Sequence, residues 1–435
     1  MKAGTIKKDK VNIITLGCSK NMVDSEVLSG QLQANAIDVV HENRKLDHNI
    51  VIVNTCGFID KAKEESINTI LAQVELKRKG KLDKVYVTGC LSERYRNNLE
   101  QEIPEVDAYF GTMELPLILK RFEADYKTEL IGERLLSTPT HYAYLKISEG
   151  CNRTCAFCAI PLMRGQHISK PIDQLVQEAE GLVKKGVKEV MLIAQELTYY
   201  GLDIYKKRML PDLLNRLADV KGLEWIRLHY AYPTKFPLEI LDVMRQRDNI
   251  CNYLDMPLQH ASDHMLKAMR RNITRAEMVD LIAAIRDKVP GICLRTTLIA
   301  GFPGETEDDV EEVKTFLQQQ QFDRVGIFTY SHEEGTSAHT LADDVPQEEK
   351  ELRAQSIMEV QQDISYAKNQ QKTGHTYKTI IDKKEAGRYL GRTEFDSVEV
   401  DNEVIIHSDK KLAIGEFYPV TITRAYDYDL EGEVS

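Results

Sequence analysis

The sequence lacks the features of a membrane or secreted protein. No apolar run approaches the ~20 residues of a membrane span. The charged start, MKAGTIKKDK, leads into the strand-like VNIITLG without the apolar region of a signal peptide. Hydrophobic residues make up 42% of the 435 residues, which excludes wholesale disorder. We therefore expect a soluble cytoplasmic protein without a membrane partner.

The sequence also lacks an excess of basic residues. It has 57 Lys and Arg against 68 Asp and Glu, a net charge of −11. Nucleic-acid binding draws on Lys and Arg to neutralise phosphates, so this balance argues against a protein coated in basic surface, while a local basic patch stays open. Residues 371–435 carry 9 basic and 13 acidic side chains, with acidic runs at 394–403 and 427–433. This segment suits a basic protein partner, although acidic loops also serve solubility alone.

Strand and helix patterns divide the chain into three segments. In residues 1–135, three strand-like runs alternate with helical stretches, which predicts a parallel sheet covered by helices, an α/β sandwich. In residues 136–370, six strand–helix repeats predict a partial (βα) barrel, followed by a connector helix at 347–371. Short alternating runs in residues 371–435 predict a small all-β barrel.

Three of the eight cysteines follow the three strands of the first segment. Cys18, Cys56 and Cys90 each stand one to three residues past a strand end. The carboxyl ends of parallel strands form the ligand-binding edge of a sheet, so we expect these thiols to converge. Clustered cysteines in a cytosolic chain indicate a metal or catalytic site before disulfides. The alternative is three small buried residues in tight turns.

A second group of cysteines has the spacing C-x3-C-x2-C. Cys151, Cys155 and Cys158 follow the first strand of the predicted barrel. Three thiolates on one loop can each bind one iron of a 4Fe-4S cluster, which leaves the fourth iron open to a substrate or cofactor. The alternative, structural zinc, usually needs four ligands. The nearest candidate for a fourth, His167, is nine residues further on.

This motif, with Phe157 before its last cysteine, resembles the radical S-adenosylmethionine superfamily. The resemblance implies that the open iron binds S-adenosylmethionine. One electron then cleaves the sulfonium, and the deoxyadenosyl radical removes a hydrogen from an unactivated carbon. It also implies S-adenosylmethionine contacts from Phe157, from Gln195 and Glu196 after the second barrel strand, and from Pro257 and Arg295 at later strand ends. A structural role is the alternative for each of the last four residues.

The order of the three segments resembles the methylthiotransferases over essentially the whole chain. The resemblance implies that Cys18, Cys56 and Cys90 hold a second 4Fe-4S cluster that carries the sulfur group, and that residues 371–435 form a TRAM domain, a substrate-recognition module. It also implies a reducing partner such as flavodoxin or ferredoxin. The substrate carbon has to lie between the two clusters, so we expect the strand ends of the two α/β domains to face each other.

Two branches of this family compete. One modifies adenosine in tRNA, and the other modifies the β-carbon of an aspartate in small-subunit ribosomal protein twelve. The stretches LGCSKNMVDSE, YLKISEGC, YLDMPLQHAS and YSHEEGTSAHTLAD resemble the second branch, and EEGT stands where the first typically has Arg-Pro-Gly-Thr. Ser19, Glu196-Leu197 and His229 depart from the second pattern, which bears on cofactor contacts and on none of the cysteines. We therefore expect the ribosomal protein as substrate, with tRNA modification as the alternative.

Overall fold

The structure is a computed structural model that describes residues 9–43, 45–127, 130 and 132–435. Within these ranges, no helix is both long and apolar enough to cross a membrane. The chain forms two compact units. The first holds the described residues up to Thr138 together with Glu149–Asn152 and Ala159–Ile168, and the second holds Pro139–Ser148, Arg153–Cys158 and Ser169–Ser435. The division into three domains at residues 135 and 370 stays a prediction.

The first unit is built on a parallel sheet whose described strands have the order β2-β1-β3-β4-β5. The central strand, IVIVNT, is buried throughout, as its run of β-branched residues predicts. Leu28 and Leu32 of one helix cover one face, while Ile70 and Val74 of another cover the opposite face. The elements are β1 (Lys10–Thr15), α1 (Ser19–Ala34), β2 (Asp38–His41), β3 (Ile50–Thr55), α2 (Asp60–Arg78), β4 (Lys84–Gly89), α3 (Cys90–Glu102), β5 (Ala108–Tyr109) and α4 (Leu115–Lys120).

The second unit contains an open sheet of parallel strands in the order β13-β12-β11-β10-β9-β6, which confirms a partial barrel. Between β6 and β9 the chain passes into the first unit and back, so α5 belongs to the first unit and β7 and β8 lie at the crossings. The elements are β6 (Tyr142–Lys146), β7 (Ser148–Glu149), α5 (Ile160–Arg164), β8 (Ile168–Ser169), α6 (Ile172–Lys184), β9 (Glu189–Ile193), α7 (Leu210–Ala218), β10 (Trp225–Leu228), α8 (Glu239–Gln246), β11 (Ile250–Asp255), α9 (Asp263–Ala268), α10 (Arg275–Lys288), β12 (Cys293–Ala300), α11 (Glu307–Gln320), β13 (Arg324–Thr329) and α12 (Gln347–Gln370).

The C-terminal part of the second unit is a closed barrel in the order β14-β15-β16-β18-β17, as predicted. Its interior is filled by apolar side chains such as Val404, Ile406 and Val420, none of them accessible to solvent. The strands are β14 (Thr376–Glu385), β15 (Arg388–Thr393), β16 (Val404–His407), β17 (Phe417–Ala425) and β18 (Leu430–Val434).

The loop between β15 and β16 limits one expectation from the sequence, because two of the five carboxylates in its acidic run are buried. Its acidic run, residues 394–403, suggested a surface for a basic partner. Instead, Asp396 accepts a hydrogen bond from Arg324 at 2.7 Å, and Asp401 accepts one from the Tyr253 hydroxyl at 2.7 Å. Both carboxylates are only 1% exposed. These two carboxyl groups therefore fix the β-barrel to the strands of the open sheet and are not available to a substrate.

Candidate active site

The three N-terminal cysteines lie at the carboxyl ends of neighbouring strands, as predicted. Cys18 follows β1 by three residues, while Cys56 and Cys90 directly follow β3 and β4. Cys18 is exposed, whereas the other two are buried. The thiols lie close enough to interact, since the charge of Cys18 raises the pKa of both buried thiols and that of Cys56 raises the pKa of Cys90. The structure thus brings the three together.

Burial dominates the electrostatics of these thiols. It raises the pKa of Cys56, although backbone N–H groups of Phe58 and Gly57 oppose the shift. It raises the pKa of Cys90 to about 12, with Arg164 as the main opposing charge. A thiol must lose its proton to bind iron, so cationic and N–H donors beside these sulfurs favour the ligating form.

Arg164, at the end of α5, is the cation beside Cys90. Its Nε donates to the Cys90 Sγ at 3.3 Å, and its Nη1 donates to Asp24 at 2.6 Å and Glu149 at 3.3 Å. Its Nη2 donates to the Asn21 side-chain oxygen. Burial alone would lower the pKa of Arg164, but the charges of Asp24 and Glu149 outweigh it and hold the pKa above its ordinary value.

The donor set of the first unit fits an iron–sulfur cluster with one open iron. Within the described ranges, no three Cys, His, Asp or Glu side chains form a group that could hold a single metal ion. A cubane cluster makes a different demand, because each thiolate binds a different iron and the sulfurs stay apart. Cys18, Cys56 and Cys90 supply three thiols from neighbouring strand ends and an N–H donor on the Cys90 sulfur, and that they hold such a cluster stays a prediction.

Within the C-x3-C-x2-C loop, the chain crosses from the first unit, which holds Cys151, to the second, which holds Cys155 and Cys158. In the first unit, the Cys151 N–H donates to the Gly165 carbonyl at 3.1 Å. Gly150 has φ +76°, and a Cβ there would lie 2.0 Å from the Gln166 carbonyl oxygen, so only glycine fits. In the second unit, the Cys158 N–H donates to the Cys155 carbonyl at 3.2 Å. That these three cysteines share one cluster stays a prediction from their spacing.

Cys155 is held by a buried arginine and a tyrosine of the second unit. Arg271, 3% exposed, donates through Nη1 to the Cys155 Sγ at 3.1 Å and through Nη2 to the Pro257 carbonyl at 2.5 Å. The Tyr232 hydroxyl lies 3.6 Å from the same sulfur and donates to the Arg271 carbonyl at 3.0 Å. Burial raises the pKa of Tyr232, which keeps this hydroxyl a donor. The predicted site residue Pro257 is therefore tied to a predicted cluster ligand.

Arg153 links Glu196 to Tyr232, because it donates to the Glu196 carboxylate and stacks on the Tyr232 ring. Its carboxylate accepts from the Arg153 Nη2 at 2.9 Å and from the Thr198 N–H at 2.6 Å. The Arg153 guanidinium is stacked between Tyr199 and Tyr232, 3.9 and 3.8 Å from the ring centres. Cation–π stacking on both faces holds this guanidinium rigidly. Both Glu196 oxygens thus have partners within the chain.

The remaining predicted cofactor residues are placed differently. Gln195 follows β9 directly after Ala194 and is half-buried, and Phe157 packs on a core that includes Met269 and Phe302. Arg295 does not stand at a strand end, so that expectation is wrong. It is the third residue of β12 and contacts Asp255 at 3.0 Å and Asp401 at 3.3 Å. Its predicted cofactor contact is not tested by this placement.

The sequence reasoning missed Arg164, Arg271 and Arg153. One signal was available for Arg164, because it is the lone charge in the apolar stretch AIPLMRG that directly follows Cys158. A charge in such a stretch indicates a buried, partnered group. Arg271 offered no such signal, since its neighbour Arg270 is the same residue type and is exposed.

Three family models match the chain. The radical SAM superfamily matches residues 145–317, the Uncharacterized protein family UPF0004 matches residues 10–111, and the TRAM domain matches residues 373–434. Among solved structures, a radical S-adenosylmethionine methyltransferase, TsrM, from Kitasatospora setae is similar in fold. Its TM-score is 0.53 at 15% identity, over 74% of this chain and 75% of that one.

Two curated relatives match over the full length. Each is 59% identical over 435 residues, covering 100% of both chains, and each is named ribosomal protein uS12 methylthiotransferase RimO, one from Cytophaga hutchinsonii and one from Flavobacterium johnsoniae. Fold and site together define a radical S-adenosylmethionine methylthiotransferase, whose cofactors are 4Fe-4S clusters and S-adenosylmethionine. Within that class, the chain belongs to the RimO family of uS12 methylthiotransferases, which confirms the protein-modifying branch.

Proposed function

We propose that this chain attaches a methylthio group to the β-carbon of an aspartate in ribosomal protein uS12. The reaction uses two molecules of S-adenosylmethionine, one as methyl donor and one as radical source, and a sulfur donor. The observation that carries the proposal is 59% identity over the full length to proteins named for this activity. The alternative is methylthiolation of adenosine in tRNA.

Six cysteines would hold the two clusters in this proposal. Cys18, Cys56 and Cys90 hold one, and Cys151, Cys155 and Cys158 hold the other. When bound, the clusters and S-adenosylmethionine supply the electron, the radical chemistry and the site for the sulfur group.

The polypeptide supplies position and shielding around Cys155. Arg271 fixes the Cys155 sulfur through a direct N–H donor and ties it to the backbone that follows β11. The Tyr232 hydroxyl also contacts this sulfur, and Arg153 holds the Glu196 carboxylate in place. Such buried donors orient a ligand before chemistry begins and keep water from it. Phe157 extends this shield, because it packs on the core next to the cysteine loop.

Charge supports a protein substrate over tRNA. The whole chain has a net charge of −11, whereas tRNA binding releases counterions through many Lys and Arg contacts. Ribosomal proteins are typically basic and would be attracted by an acidic enzyme. The support comes from the overall charge and not from Asp396 and Asp401, which are buried.

Location and partners follow from the same proposal. The enzyme works in the cytoplasm, on uS12 either free or assembled in the ribosome. It receives electrons from a small reducing protein such as flavodoxin or ferredoxin, since the radical step needs one electron from outside the chain.

The test is a reaction of anaerobically reconstituted protein with S-adenosylmethionine, a strong reductant, sulfide and a peptide spanning the uS12 aspartate loop. Mass spectrometry reads the peptide and a tRNA control in parallel. We expect one methylthio group in place of one hydrogen on the aspartate and no change in the tRNA. Modification of the tRNA instead would overturn the proposal in favour of the alternative. A Cys155→Ala variant controls for radical chemistry and should form neither product nor deoxyadenosine.

A further inference from the structure

Arg164 is a buried residue to which the proposed function assigns no role. It is 4% exposed, and its guanidinium donates to four side chains: Cys90, Asp24, Glu149 and Asn21. All of these residues belong to the first unit. Only a planar guanidinium with donors on three nitrogens can make these contacts together, because a lysine ammonium is a point charge at the end of its stem.

The contacts of Arg164 reach both cysteine groups. Its Nε lies 3.3 Å from the Cys90 sulfur, and its Nη1 lies 3.3 Å from Glu149, which stands two residues before Cys151. The next residue along the chain, Gly165, accepts the Cys151 N–H at 3.1 Å. Two consecutive residues therefore hold one ligand from each predicted cluster.

We propose that Arg164 is a positioning residue that fixes Cys90 and raises the reduction potential of the N-terminal cluster, with Glu149 modulating that effect through it. The inference rests on the proposed function, because it takes Cys90 as a cluster ligand. Hydrogen bonds to ligand sulfurs and nearby positive charge both stabilise the reduced, more negative form of a cluster. Burial strengthens both effects, since water does not screen the guanidinium from the sulfur.

The test uses the full chain with Cys151, Cys155 and Cys158 changed to alanine, so that only the N-terminal cluster assembles. Its midpoint potential is read by redox titration followed by electron paramagnetic resonance, with iron content measured in parallel. We expect Arg164→Met to shift the potential downward and Arg164→Lys to restore part of the shift. Arg78→Met is the matched control, because Arg78 is a surface arginine of the same unit whose side chain is 60% exposed. It should leave the potential unchanged.

A double-mutant cycle tests the link to Glu149. Glu149→Gln removes a negative charge beside Arg164, so we expect an upward shift in the parent and a smaller one in the Arg164→Met background. A purely structural role for Arg164 would not produce shifts of opposite sign.

The inference is overturned if Arg164→Met binds a full cluster with an unchanged potential, or if Arg78→Met gives the same shift. Where Arg164→Met binds no cluster, Arg164→Lys decides. A lower potential in that variant supports the inference, and an unchanged potential overturns it. Failure of the ligand assignment is a separate result, because Cys90→Ala would then retain the N-terminal cluster.

Discussion

At the scale of single residues, Gly17 controls how closely the first two cysteine loops approach. It has φ +87°, and a Cβ at this position would lie 2.6 Å from the Cys56 Cβ and 2.8 Å from the Cys56 Sγ. Such contacts are too short for any side chain to fit without displacing Cys56. Cys18 is the next residue after Gly17. The lack of a side chain at Gly17 therefore determines how close the predicted ligands Cys18 and Cys56 can come to each other.

We therefore expect Gly17→Ala to lose most of the N-terminal cluster while retaining the other. Gly80→Ala is its matched control, since Gly80 also has a positive φ of +71° but nothing within 4 Å of a Cβ. Both variants bear the strain of a left-handed alanine, about 1–2 kcal/mol, and only the first displaces a thiol. Iron analysis and Mössbauer spectra of reconstituted protein measure the difference. Equal iron loss in both variants would assign the effect to backbone strain alone.

Arg271 is expected to matter in the same way for the second predicted cluster. Arg271→Met removes the donor to the Cys155 sulfur, and the loss of such an indirect ligand contact typically costs about 10–100-fold in activity. We expect a fall of that size in the rate of S-adenosylmethionine cleavage, measured as deoxyadenosine by chromatography. Arg270→Met, at the exposed neighbour, should stay near the rate of the unmodified chain. Equal rates in the two variants would contradict a role for this contact.

At the scale of elements, regular strands and helices were predictable and short ones were not. The six strand–helix repeats predicted in residues 136–370 include β12, β13 and α10, because long alternating or amphipathic runs carry a clear period. The strands β5, β7 and β8 have two residues each, too few to show any period. Cys18, Cys56 and Cys90 could be placed from strand ends alone. Their arginine partners could not, since contacts distant in sequence leave no local pattern.

The loop between β15 and β16 shows the limit of reading charge from sequence. An acidic run suits a basic partner, yet Asp396 instead neutralises Arg324, the first residue of β13. Burial is the largest single effect on the pKa of Asp396 and would raise it. The charges of Arg324 and Lys372, with hydrogen bonds from Thr393 and Arg324, together outweigh burial and hold the pKa below its ordinary value. The ion pair is therefore part of the fold, and breaking it leaves a buried cation.

Asp396→Ala should accordingly lower stability and leave substrate affinity unchanged. Removing one partner of a buried ion pair costs about 3–5 kcal/mol. Asp409→Ala, at an exposed aspartate of the same β-barrel, should stay within about 0.5 kcal/mol of the parent. Calorimetry reads the melting temperature, and the KM for the uS12 peptide is measured below it. A raised KM with an unchanged melting temperature would instead show that Asp396 contributes to substrate binding.

The start of α11 carries a pH-dependent contribution to stability. Burial would raise the pKa of Asp309, but hydrogen bonds from Ser262 and Thr306 outweigh it and lower the pKa to about 2. A depressed carboxyl pKa stabilises the fold above the ordinary value of 3.8, and this stability is lost as pH falls towards 2. Asp309→Asn should therefore cost about 1 kcal/mol at pH 7, the usual net contribution of a hydrogen bond. The cost should shrink as pH falls from about 4 to 2 in denaturation series and vanish below that, and a constant cost at every pH would exclude the ionised carboxylate as its source.

At the scale of the whole molecule, charge is the property that separates the two candidate substrates. The chain has a net charge of −11, and its C-terminal 65 residues remain acidic although two of their carboxylates are buried in ion pairs. A field of this sign speeds encounter with a basic protein and slows encounter with tRNA. Because salt screens such long-range attraction, the substrate class should be visible in how ionic strength changes the kinetics.

We expect the KM for uS12 to rise by about 10-fold between ~0.05 and ~0.5 M salt, while kcat stays constant. The reason is that screening weakens the encounter without touching the buried contacts around Cys155. The KM for S-adenosylmethionine serves as the internal control, because that cofactor is small and presents few charges. Steady-state rates by mass spectrometry measure both constants. A KM for uS12 that does not change with salt concentration would mean that shape complementarity and hydrogen bonds, and not overall charge, select the substrate.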